Sequence, residues 1–317
     1  MVLVPVEMDP KFVNLTLNVS MDCVIGTDCT SNNSDQKWSG SLTWTPGDIH
    51  VATGLMSHTY TSTNVDVRSV WLTSKITSYS PVTNPSAQRW IAKDAEIRCD
   101  TVVTKAGGCV FPKYKPTWVM NFKKFPAAVA HAWLTQAKLP NHPGSALTNK
   151  PLIYLPATGS TTGRTPEQNR KIICPKGWAA KNGNPDATTL PGNTPSGKDP
   201  FSCDEFAYAA TYNSGGMPAP DGLNPVASGD QCLQTYSQRT QPDVWHFYDE
   251  IRQGAPTWKE VCGRSAMSNW MNTQSMQPFP SSFSQPNRLL EKDEYWYYAP
   301  EFDKCDASKA TVKCTLK

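Results

Sequence analysis

The chain has 317 residues, with Lys+Arg 30 against Asp+Glu 27 and a formal net charge of +3, so charge alone marks no nucleic-acid partner. Pro (27) and Gly (19) demand many turns and irregular connections, yet 11 tryptophans supply large buried surfaces, which excludes a disordered chain. The length suits two domains, and no stretch reaches the ~18 apolar residues needed to span a bilayer.

The opening MVLVPVEMDP has no basic start and its apolar run is broken by Pro5 and Glu7, so it does not read as a signal peptide. From residue 11 to about 118 the chain reads as β. KFVNLTLNVSM, SGSLTWTP, NVDVRSVWLTS and EIRCDTVV alternate apolar with polar or β-branched residues, between Gly, Asn, Asp and Pro punctuation. Short strands in that pattern predict an antiparallel β-sandwich-like domain over 1–118, an accessory to the C-terminal half. Its histidines, His50 and His58, stand alone and read as ordinary surface or half-buried residues.

The character changes after CVFPKYKPTWVMNF, and 119–317 reads as α+β. KKFPAAVAHAWLTQAK, with proline near its start and an alanine-rich body, predicts a helix. TPEQNRKIIC predicts another, with Thr165 as cap and Pro166 at the first helical position. A long Gly- and Pro-rich loop, residues 175–200, comes next. CDEFAYAAT, PDVWHFYDEIRQG and GRSAMSNWMNTQSM are expected as three further helices, and DEYWYYAP as an aromatic strand.

Ten cysteines without a CxxC favour disulfides over zinc. Closeness in sequence suggests Cys23–Cys29, Cys99–Cys109 and Cys305–Cys314, leaving Cys174–Cys203 and Cys232–Cys262; spacing alone does not prove this connectivity. An even number of thiols in loops points to an oxidising compartment, and the sequons at Asn14, Asn18 and Asn32 are compatible with export.

The chemistry concentrates in FSCDEFAYAATYNSGG, residues 201–216. Adjacent carboxylates at a helix start, Asp204 and Glu205, have a plain explanation in opposing the helix dipole. Their functional reading is a site for a divalent cation, magnesium or manganese, which needs only one or two carboxylates and several waters. Arg264, Ser268 and Asn272 recur every four residues with Asn269 beside them; such a stripe is ordinarily a solvated face, but facing Asp204 it would let Arg264 hold a phosphate and Asn269 a metal-bound water. His131, inside AAVAHAW, reads as a packed core residue or, near a metal, as a general base.

CDEFAYAATYNSGG resembles the Cys-Asp-Glu-Tyr-Pro-Phe-Ala-Ser-Thr-Tyr-Glu-Gly-Gly signature of the NucA/NucB family of secreted deoxyribonucleases. FPAAVAHAWLTQAKLPNHPG, EQNRKIICP, NRLLEKDEYWYY and the upstream IRCD…GGCVFP are similar to further family segments, in consistent order over about residues 95 to 300. The resemblance implies metal-dependent, largely sequence-nonspecific hydrolysis of DNA phosphodiesters by a secreted enzyme. It implies Asp204 as the catalytic and metal-associated aspartate and Glu205 as the adjacent acid, with His131, Arg170 and Asn169 at matching places. Two departures stand out: Ala207 replaces the family proline, and Asn213, followed by an extra Ser214, replaces the acid before the paired glycines. Asn213 would then serve the metal as a neutral oxygen donor, or the site would be inactive. The latter possibility sets the alternative: an exported glycan- or wall-binding protein, its N-terminal domain taking a polysaccharide and its nuclease-like domain silent. No membrane partner is expected.

Overall fold

The computed structural model describes the backbone of residues 2–3, 14–24, 29–32, 41–43, 50–51, 55–58, 64–78, 87–158, 160–182, 199–241, 244–249, 256–309 and 312–315. Side chains are described for 64–67, 96–158, 160–181, 199–235, 256–309, 312 and 314. The chain divides into two compact units, Met1–Tyr114 and Lys115–Lys317, and is mixed α+β as a whole.

The regular elements described in the first unit are strands: β1 (Val2–Leu3), β2 (Asn14–Val24), β3 (Cys29–Asn32), β4 (Ser41–Thr43), β5 (His50–Val51), β6 (Leu55–His58), β7 (Asp66–Ser78), β8 (Ala87–Asp100) and β9 (Gly108–Val110). β4-β2-β7-β8-β9 form one antiparallel sheet, and β1-β5 and β3-β6 are separate antiparallel ladders. The segments that alternate in sequence thus do pair as strands. Where β8 turns into β9, the buried Asp100 carboxylate accepts the amides of Val102 (3.0 Å) and Val103 (3.1 Å), and the Cys99–Cys109 disulfide staples the two strands. The Cys23–Cys29 pairing lies outside the described side chains.

The second unit contains β10 (Thr117–Val119), α1 (Pro126–Lys138), β11 (Leu152–Ile153), α2 (Pro166–Ile173), α3 (Trp178–Asn182), β12 (Phe201–Phe206), β13 (Leu233–Gln241), β14 (Val244–Asp249), β15 (Gly263–Ser268), α4 (Asn269–Met276), β16 (Glu294–Tyr298) and β17 (Val312–Thr315). α1 starts at proline as expected. In α2 the Thr165 hydroxyl and the Gln168 side chain form a reciprocal capping box. A small sheet, β10-β16-β11, and a larger one, β12-β15-β13-β14-β17, organise the unit. In the larger sheet β13 runs parallel to β15, and the other neighbours are antiparallel.

Three expected helices are corrected. FSCDEF is strand β12, VWHFYD is strand β14, and GRSAMSNWMNTQSM is a strand followed by a helix, with Ser268 capping α4 through the Met271 amide. The reason for β12 is physical. It pairs along its whole length with β15, and Cys203 to Phe206 are all buried, so tertiary pairing overrides the helix propensity of the alanines beyond it. α1 packs against β12, β13 and β15, and the core gathers there around Trp118, Phe122, Trp133, Phe206, Tyr295 and Phe302.

Two more disulfides close the sheet onto its surroundings. Cys174–Cys203 joins the end of α2 to β12, and Cys232–Cys262 joins the residues that precede β13 and β15. Cys305–Cys314 ties β17 to the preceding loop. All four pairings among the described cysteines are those that spacing suggests. Among the described residues no helix is long and apolar enough to cross a membrane.

Candidate active site

On a strand, successive side chains point to opposite faces, so the adjacent acids part company. Register fixes the neighbours of each. Asp204 lies opposite Ser265, which lies opposite Thr235 on β13; Glu205 lies opposite Arg264, which lies opposite Gln234. The sheet therefore carries Asp204, Ser265 and Thr235 in a row on one face and Glu205, Arg264 and Gln234 on the other. α1 covers the first face and α2 and α3 the second. The expectation that Asp204 and Glu205 open a helix is corrected by this two-residue period.

On the first face His131 reaches down from α1, and its Nδ1 lies 2.7 Å from Thr235 Oγ1. Ser265 Oγ donates to the Thr235 carbonyl at 2.7 Å, locking the row across two strands. His131 is 3 % exposed, and its Nε2 has no hydrogen-bond partner among the described residues; the same holds for Thr135 Oγ1, one turn further along α1. Both groups border Gly263. A methyl there would stand 2.4 Å from Thr135 Oγ1 and 3.0 Å from His131 Cε1, so only glycine leaves room for the α1 side chains. Burial, opposed in part by the Gly263 backbone, drops His131 to about 3 and keeps the imidazole neutral. It is thus suited to accept a hydrogen bond or bind a cation, and is a far weaker base than its type suggests.

Asp204 is 6 % exposed, and its carboxyl is pushed up to about 8, first by burial and then by the Glu205 charge, against the pull of Arg170. The phenols of Tyr208 and Tyr297 are raised well above their ordinary value, mainly by burial, with the Asp204 charge adding to each. Glu205, 4 % exposed, is likewise raised by burial and opposed by Arg170, whose guanidinium stands 3.4 Å away.

Arg170 does more than face Glu205: it also donates to the Cys203 carbonyl, which receives Asn272 Nδ2 at 2.8 Å as well. Since β12 is an edge strand, these side chains satisfy a backbone group that another chain could otherwise pair with. Arg170 thus binds α2 to the edge that carries the acids.

The remaining expected residues fall elsewhere. Arg264 is 1 % exposed; its guanidinium donates to Gln234 Oε1 (2.8 Å), the Ile173 carbonyl (2.9 Å) and Asp230, and lies 4.1 Å over the Trp178 ring. It fastens α2 and α3 to the sheet from the face opposite Asp204. Asn213 spends its amide on the backbone, accepting from Ile153 N (2.8 Å) and donating to the Pro151 carbonyl (3.0 Å). Asn169, fully buried, accepts from Arg164 Nε (2.8 Å) and donates to the Ala209 carbonyl (2.9 Å). Asn269 is half-buried at the start of α4, its amide bonded to the Pro200 carbonyl at 2.9 Å. Arg264 and Asn269 are therefore not members of one helical stripe: the first lies within β15 and the second begins the helix after it.

Two participants had no motif to announce them. Thr235 and Ser265 are single small hydroxyls on strands, and only pairing register brings them beside Asp204 and His131. Donor chemistry decides whether this face suits a divalent cation. Asp204 offers a hard oxygen and His131 a neutral ring nitrogen, donor types that manganese and magnesium take. Among the described residues no three His, Cys, Asp or Glu side chains gather at one point. No protein-family model, curated protein or solved structure matches this chain.

Proposed function

We propose that the chain is a secreted, metal-dependent deoxyribonuclease that hydrolyses DNA phosphodiester bonds with little sequence preference. The carrying observation is the row Asp204, Ser265 and Thr235 with His131 above it: a buried carboxyl and a neutral imidazole on one sheet face. The resemblance of CDEFAYAATYNSGG and its ordered companions to the NucA/NucB family supports the same reading. Four disulfides fit an oxidising compartment.

Asp204 and His131 would hold the ion. When bound, a divalent cation offsets phosphate charge and makes its bound water a better nucleophile. The chain's own contributions derive from the geometry. Asp204 gives up its proton to bind a cation, because the cation removes the cost that burial sets on its charge. Burial keeps His131 neutral, the form in which a ring nitrogen could ligate the ion. Glu205 acts from the opposite face, adding negative field at Asp204 that favours a cation there. Asn213 has no place among these ligands, since its amide is engaged with Ile153 and Pro151; its departure from the family acid leaves the row untouched.

The test is supercoiled plasmid incubated with manganese or magnesium. Cutting is expected, with loss in EDTA and a roughly thousandfold fall for Asp204→Asn, the scale of several kcal/mol of charge stabilisation. Intact plasmid with wild-type protein across metals and pH would overturn the reading. One observation favours the alternative, a glycan- or wall-binding protein with a silent nuclease-like domain: Phe111 (57 % exposed) and Tyr114 (70 % exposed) display aromatic rings at the end of the first unit. Retention on polysaccharide without plasmid cutting would select it.

A further inference from the structure

We propose that Leu147 is a wedge for duplex DNA: the tip of the hairpin that follows α1 enters the minor groove and slips the leucine between two stacked bases. The choice of partner rests on the nuclease reading; the mounting of the wedge does not. Leu147 is 100 % exposed, so it contributes nothing to the core. A solitary exposed leucine is ordinary on a protein surface, and what distinguishes this one is how it is held. Ser145 pairs antiparallel with Lys150. Gly144 N donates to the Lys150 carbonyl at 2.7 Å and Lys150 N to the Ser145 carbonyl at 3.0 Å. Ala146, Leu147, Thr148 and Asn149 are left as a tight, exposed tip, closed by Asn149 at a φ of 54° that asparagine tolerates.

The base of the hairpin is built into the core. Gly144, at φ +82°, lies so close to its neighbours that an added methyl would stand 3.0 Å from Tyr297 Cβ and 3.2 Å from Leu152 Cγ. Its carbonyl accepts from Tyr297 N at 2.9 Å, and the Pro143 carbonyl accepts from Gln136 Nε2 at 3.1 Å. Gln136 belongs to α1, which also carries His131, so the hairpin and the site row are fastened to the same helix. The chemistry of the tip selects its partner. From Leu139 to Lys150 the chain holds no acid, while Thr148, Asn149 and the exposed Lys150 are groups that contact phosphate without reading sequence. Leucine is among the side chains that minor-groove proteins insert between base steps, partly unstacking them. Such a wedge grips DNA through its deformability, which suits an enzyme with little sequence preference.

The experiment uses the full chain in EDTA and a short duplex carrying 2-aminopurine, whose fluorescence rises when its neighbours unstack. Wild-type protein should raise that fluorescence severalfold on binding. Leu147→Ser should still bind, with the same salt dependence, but leave the signal at the free-duplex level. Leu147→Met, which keeps an apolar side chain able to insert, should keep the rise. Lys150→Gln should weaken binding to all sequences alike and lower the slope of log K against log salt by about one. Because the tip lies outside the core, Leu147→Ser should melt with the wild type. An equal rise with Leu147→Ser, or wild-type binding with no rise, overturns the wedge. Leu147-dependent attachment to phosphatidylserine vesicles without unstacking of DNA overturns it too, and assigns the tip to a lipid surface. Cutting of plasmid with manganese but no unstacking would defeat the wedge alone, and unstacking without cutting would defeat the nuclease reading alone; no binding of DNA at all would defeat both.

Discussion

A carboxyl group that titrates near 8 is a statement about folding as much as about chemistry. Asp204 ionises at about 4 when the chain is unfolded and at about 8 when it is folded without metal. Below pH 4 both states hold the proton and the residue costs nothing. As pH rises from 4 to 8 the unfolded chain loses the proton first, so stability falls across that window and levels off above it. In EDTA the protein should therefore melt at a lower temperature at pH 8 than at pH 5, with a contribution from Asp204 of several kcal/mol. Asp204→Asn should flatten the difference, and Mn²⁺ added to the wild type at pH 8 should restore stability with release of protons. A metal-free melting temperature that rises steadily from pH 5 to pH 8 would show that Asp204 is not held in this way. His131 shifts in the opposite sense and adds to acid sensitivity: buried and neutral, it must gain a proton when the chain unfolds below about pH 6.

At the scale of elements, the site depends on how β12 is moored. One side of this strand pairs with β15; the other is held by Arg170 and Asn272 on the Cys203 carbonyl and by the Cys174–Cys203 disulfide. That disulfide spans a sequence separation of 29, worth about 3–4 kcal/mol, against 9 for Cys305–Cys314, worth about 2–3 kcal/mol. Replacing Cys174 and Cys203 together by serine should lower both the melting temperature and plasmid cutting, since the strand bearing Asp204 loses its covalent tie to the end of α2 and keeps only the Arg170 contacts. The same change at Cys305 and Cys314 should lower the melting temperature while cutting persists. Equal cutting by the two variants would show that the mooring of β12 does not set the site. Local signals explain which elements the sequence makes readable. α1 and α2 start at proline, α2 with a capping box, and β16 is aromatic; each of these signals is contained within its own segment. β12 carries none, because both its faces are covered and apolar–polar alternation vanishes. Asp204 and Glu205 are legible as a pair of acids but not as residues on opposite faces, and Thr235 and Ser265 become visible only through the pairing of β13, β15 and β12.

For the whole molecule, the consequence is a division of labour. Asp204, Glu205, His131, Thr235, Ser265 and Arg170 all lie between residues 115 and 317, as do three of the four described disulfides. The site row draws its hydrogen bonds from α1, β13 and β15, and the core around Trp118, Trp133, Phe206 and Phe302 is complete within the same unit. On the proposed reading, every residue assigned a part in the chemistry belongs to residues 115–317. A chain of residues 115–317, exported to an oxidising compartment so that its disulfides form, should cut plasmid with manganese at a rate within about threefold of the full chain, a loss of less than 1 kcal/mol in transition-state stabilisation. The full chain should differ where the first unit binds something of its own, and retention on polysaccharide is the property to compare. If the shorter chain folds with its three disulfides yet leaves DNA uncut while the full chain cuts it, the catalytic assembly extends into the first unit and the row on β12, β15 and β13 is not sufficient.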